Sequence, residues 1–83
     1  SRNFSKVNVE NVEIGKSCEM NGATFENCTI SEDGKFTIYL TDEQKNDHTK
    51  ISRVWQNGIK NVKEWTETID NEKAVWTVKE LNS

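Results

Sequence analysis

Proline is absent from the 83 residues, and glycine, cysteine and histidine number only four, two and one. Each scarcity excludes something. Four isolated glycines, each with a turn to explain it, leave no phosphate-cradling glycine motif. Cys18, Cys28 and His48 do not make up the four ligands of a structural zinc site. No apolar run approaches the ~18 residues that a membrane span needs. Ser1–Gly15 lacks the apolar segment of a secretory signal.

What is present is polar and unevenly charged. Net charge is −3, but residues 1–47 carry nine acids and five bases, and residues 48–83 five acids and six bases. Only the carboxyl half has the balance for a local basic face. Ten Asn, and nine Lys against two Arg, are a bias common in low-GC genomes, many phages among them. Leu, Ile, Val and Phe number 18, close to the lower limit for a folded chain. Three Trp, three Phe and one Tyr tip the balance towards a fold. The length allows one domain, 1–83.

Turn signals organise the chain, and no linker or internal repeat is read. Val7 and Val9 alternate on one parity, Val12 and Ile14 on the other, so a bulge or bend is expected near Glu10-Asn11. Asn21-Gly22 predicts a two-residue hairpin between 17–20 and 23–30. In that hairpin Cys18 and Cys28 point to opposite faces, so both cysteines are expected to be reduced. Glu32-Asp33-Gly34 predicts a second hairpin with an apolar face of Cys28, Ile30, Phe36, Ile38 and Leu40.

Thr41 and Gln44 form a capping box, and the apolar spacing of Ile51, Val54 and Trp55 predicts one helix ending at Asn57. Asp47 and Thr49 are alternative starts. Gly58 is expected to be left-handed, with Ile59 touching Val54 in a Schellman motif. The last third predicts a hairpin in which Ile69 faces Ala74, Glu67 faces Trp76 and Trp65 faces Val78. The expected fold is α+β: a mostly antiparallel five-stranded sheet with one helix, in the order β-β-β-α-β-β.

Catalysis finds no foothold. His48 lies in a wholly polar stretch, and neither cysteine has a basic neighbour or a Cys-x-x-Cys partner. No catalytic, cofactor-binding or metal-binding residue is assigned. The leading expectation is a small non-enzymatic binding module in a reducing cytoplasm. In this reading it is a phage-like accessory protein that docks on a host protein and modulates it.

Exposed aromatics anchor interfaces well. Tyr39 and Trp65 are therefore the expected contact residues, with Arg53, Lys60 and Lys63 as basic neighbours. A nucleic-acid-binding domain using the basic, Trp-bearing carboxyl half is the first alternative. A secreted or virion structural domain held by a Cys18–Cys28 bond is the second.

Overall fold

The computed structural model describes residues 2–3, 7–11, 13–15 and 17–81. Val12 lies outside them. Short strands come at regular intervals and pair with the strand one circuit later, not with the next in sequence. The first circuit is β1 (Arg2–Asn3), β2 (Asn8–Glu10) and β3 (Glu13–Ile14). The second is β4 (Ser17–Glu19), β5 (Thr24–Glu26) and β6 (Cys28–Ile30). The third opens with β7 (Gly34–Tyr39) and closes with β8 (Ile59–Lys60).

The pairs β1–β4–β7, β2–β5 and β3–β6–β8 are all parallel. They build three walls of a β-solenoid. This replaces the expected antiparallel sheet with one helix: the strands lie in three sheets, most of their pairings parallel.

The solenoid rests on a sixteen-residue repeat where none was expected. Arg2 pairs with Cys18, Asn8 with Thr24 and Glu13 with Thr29. Val9/Phe25, Glu10/Glu26, Asn11/Asn27 and Ile14/Ile30 recur at that spacing. Val9, Ile14, Cys18, Phe25, Cys28 and Ile30 are all buried between the walls. Asn11 (φ 55°) and Asn27 (φ 51°) turn the corner between the second and third walls. Asparagine tolerates this left-handed conformation better than other side chains with a Cβ. The parity switch expected near Glu10-Asn11 is this corner, a bend and not a bulge.

Asn21-Gly22 is also a corner and not a hairpin. The Ala23 amide donates to the Met20 carbonyl at 3.1 Å, and within the turn only Gly22 has positive φ (75°). A hairpin-forming type I′ turn needs positive φ at both central residues. Here β4 and β5 diverge into different walls. The expected Glu32–Gly34 hairpin fails in the same way, since β6 and β7 lie in different sheets. Of its expected apolar face, Cys28, Ile30, Phe36 and Leu40 are nonetheless buried and Ile38 is half-buried. Both cysteines are reduced and buried, in different sheets, and the Cys28 thiol donates to the Val9 carbonyl at 3.3 Å.

The expected long helix breaks into three pieces. Thr41 and Gln44 make the predicted capping box, but α1 covers only Asp42–Asn46. No residue of α1 is buried, so no apolar stripe holds it beyond its cap. Asp47 then accepts from the Thr49 amide and starts a 3-10 turn, His48–Lys50. A second 3-10 turn, Val54–Gly58, sets Trp55 into the core. Trp55 lies 4.9 Å from Trp76, 5.6 Å from both Phe36 and Trp65, and 6.1 Å from Phe25, between ring centroids. The insertion thus places one large side chain across the end of the stack.

Gly58 is not left-handed, and there is no Schellman motif: Ile59 caps the turn in extended conformation. A Cβ at Gly58 would lie 1.8 Å from the Phe25 carbonyl oxygen. Glycine is required here by close backbone approach, not by φ.

The final hairpin forms as predicted. β9 (Val62–Ile69) and β10 (Lys73–Glu80) pair with Ile69 opposite Ala74, Glu67 opposite Trp76 and Trp65 opposite Val78. β10 also runs antiparallel to β7, so the first wall becomes a five-stranded sheet in the order β1-β4-β7-β10-β9. Glu67, the one polar interruption of the hairpin's inner face, is accounted for: its carboxylate accepts from Arg53 and from Trp76 Nε1.

Candidate functional site

The corner at 20–23 and the insertion at 41–58 face each other across a gap. Two features set the corner's position. Gly22 permits the turn, and Asn21 Oδ1 accepts the Tyr39 amide at 2.8 Å, tying the corner to the end of β7. On the other side the capping box and the buried Trp55 fix the insertion, with Trp55 Nε1 donating to the Ser52 carbonyl at 2.8 Å. The third circuit has no strand on the second wall, because the 3-10 turn takes its place. Met20, Ala23 and Phe25 are buried behind this gap, and Val54 stands exposed at its edge.

The resulting cleft has a volume of about 460 Å³. Met20, Ala23, Phe25, Ile38, Val54 and Trp55 supply its apolar lining. A smaller cavity of about 260 Å³ shares Gly22, Ile38 and Gln44 with it and reaches Asn21, Tyr39 and Thr41. Val54 is 74% exposed and Tyr39 52% exposed, so each cavity has a large exposed apolar residue in its lining. The polar groups are hydroxyls and amides: Thr24, Ser52, Gln44, Thr41 and Asn21. Among the described residues no acid, amine, guanidinium, imidazole or thiol lines either cavity. The arrangement can take up an apolar side chain.

The residues singled out from sequence do not converge on one patch. Tyr39 is exposed beside the cleft, its hydroxyl donating to Glu19 Oε1 at 3.2 Å. Trp65 is half-buried in the aromatic cluster, 5.6 Å from both Phe36 and Trp55. Arg53 grips Glu67 and donates through Nη1 to the Ile51 carbonyl at 3.1 Å. Its hydrogen bond, with a second from Trp76, holds the Glu67 carboxyl below the usual glutamate range. Lys60 donates to Asn27 Oδ1 at 2.9 Å, and Lys50 pairs with Glu43 at 3.3 Å. Lys63 is exposed. Sequence reasoning missed Met20, Ala23, Ile38 and Val54 as a lining, because their meeting depends on the sixteen-residue stacking.

His48 is exposed on its 3-10 turn. Among the described residues no group of three or more His, Cys, Asp or Glu is placed to hold a metal ion. No helix among them is long and apolar enough to cross a membrane. Comparison of the chain with protein-family models, with curated proteins and with solved structures finds no match.

Proposed function

We propose that this chain is a protein-binding module whose cleft receives an aliphatic side chain from an extended segment of its partner. The observation that carries this reading is an apolar cleft edged by exposed Val54 and Tyr39 and, among the described residues, lined by no charged group. A partner held there is held by buried apolar area and by hydrogen bonds to neutral groups, so its affinity depends little on salt. The nucleic-acid alternative draws less support. Trp55 and Trp76 are buried, Trp65 is packed into their cluster, and Arg53, Lys60 and Lys50 already have partners. No aromatic platform is left among these residues for base stacking.

Selection from a displayed library of random linear peptides, followed by NMR titration, tests the proposal. The expected peptides carry Val, Ile or Leu, shift the resonances of Ile38, Gln44 and Val54, and lose about tenfold in affinity on Val54→Glu. Raising the salt should leave their binding nearly unchanged. Peptides that perturb only residues remote from the cleft would overturn the assignment, as would binding to DNA or RNA that falls steeply with salt.

A further inference from the structure

Asparagine is followed by glycine at two places, Asn21-Gly22 and Asn57-Gly58. This pair carries its own chemistry. A glycine amide nitrogen can attack the carboxamide carbon of the preceding asparagine, because no Cβ crowds the approach. The fold sets the two pairs in opposite ways. Gly58 is hemmed in. It lies within the 3-10 turn Val54–Gly58, where i→i+3 bonding engages its amide. Its backbone is pressed on Phe25 so closely that a Cβ would lie 1.8 Å from the carbonyl oxygen.

Gly22 is exposed at its corner. The Ala23–Met20 bond and the positive φ of Gly22 make this a type II turn. The third residue of such a turn takes no part in the closing bond, and among the described residues nothing accepts from the Gly22 amide. The nucleophile is therefore unencumbered. The electrophile is prepared as well. The Tyr39 amide donates at 2.8 Å to Asn21 Oδ1, the oxygen on which negative charge gathers when the carboxamide carbon is attacked.

We infer that Asn21-Gly22 is a self-modifying site that converts the neutral corner beside the cleft into a carboxylate. The Gly22 nitrogen gives its proton to solvent hydroxide and bonds to Asn21 Cγ. The carbonyl electron pair moves onto Oδ1 and returns as the bond to Nδ2 breaks. Nδ2 takes a proton from water and leaves as ammonia, and a five-membered succinimide remains. A water molecule then opens the ring. Cleavage of the new bond leaves an aspartyl residue. Cleavage of the original peptide bond leaves an isoaspartyl residue, whose main chain is one carbon longer. Both products put a carboxylate beside Tyr39, Thr41 and Gln44, which with Gly22 and Ile38 line the smaller cavity. The reaction does not depend on what the cleft receives.

Peptide mapping by mass spectrometry forms the test, on folded protein held in mildly alkaline buffer and on the same protein in urea. In the folded protein the peptide holding Asn21 should exchange NH2 for OH about tenfold faster than the peptide holding Asn57. In urea the fold no longer separates the two pairs, and their rates should converge. Anion exchange should resolve the converted chain as a more acidic form, and electron-transfer fragmentation should find the isoaspartyl linkage at position 21. Equal rates in the folded protein, or conversion at Asn57 alone, overturn the inference. So does a difference that persists unchanged in urea, since the fold would then have no part in it.

Discussion

The two ends of this molecule are built by opposite rules. In the carboxyl-terminal hairpin β9 meets β10 across a turn at 70–72, so these pairings join near neighbours in sequence. In the solenoid each strand meets one a full circuit away, and its sequence neighbours turn off into other walls. The same alternation of apolar and polar residues serves both. What differs is the turn: left-handed Asn11, Asn27 and Gly22 bend the chain round corners, while Asp70 closes a hairpin. Alternation specifies which face is buried; turn geometry specifies which strands pair.

The largest test of this contrast is the side chain that joins the two ends. Trp55→Ala removes the ring shared by Phe25 and Phe36 of the solenoid and Trp65 and Trp76 of the hairpin. A loss of about 3–5 kcal/mol is expected in urea unfolding, with both regions melting together. Gly58→Ala strikes the solenoid alone. Its methyl would meet the Phe25 carbonyl, and a loss of about 3 kcal/mol is expected. Hydrogen exchange should show β5 and β8 opening before β9 and β10.

Asn27→Ala removes a left-handed asparagine together with its bonds to Asn11 Oδ1 (2.6 Å) and Lys60, and should cost about 2 kcal/mol. Asn27→Gly keeps the backbone and should cost less, so the difference between the two isolates the corner.

The smallest effect is that of acid. The Arg53 and Trp76 bonds lower the Glu67 carboxyl below its ordinary value of 4.5. Their contribution is therefore complete above that value and lost as pH falls through the lowered one. Both charged side chains of the pair remain more than a third exposed, so a fraction of 1 kcal/mol is expected. Glu67→Gln should abolish this part of the pH dependence of stability.

Much was legible in the sequence, and what was not has a physical cause. The register Ile69–Ala74, Glu67–Trp76, Trp65–Val78 follows from patterning alone, because a short turn leaves few alternatives. The Thr41/Gln44 capping box is equally local and equally clear. Burial of Cys28, Ile30, Phe36 and Leu40 follows from alternation whatever the partner strand. The solenoid did not follow, since Asn-Gly and Asp-Gly pairs signal hairpins only when strands continue antiparallel. Val9/Phe25 and Asn11/Asn27 held the correct answer at a sixteen-residue spacing. The spacing of Ile51, Val54 and Trp55 suggested a helix, yet Val54 is exposed while Ile51 and Trp55 are buried by tertiary packing. Of the candidate site, only Tyr39 was visible beforehand, as an exposed aromatic on a polar face.

The constant offset between the first two circuits makes the molecule a ruler with a fixed graduation. A duplicate of residues 8–23 inserted after Ala23 would bring the same corner asparagine and the same inward apolar residues back into phase. It should lengthen the solenoid by one strand spacing, about 4.8 Å, while the aromatic plug and the final hairpin ride along unchanged.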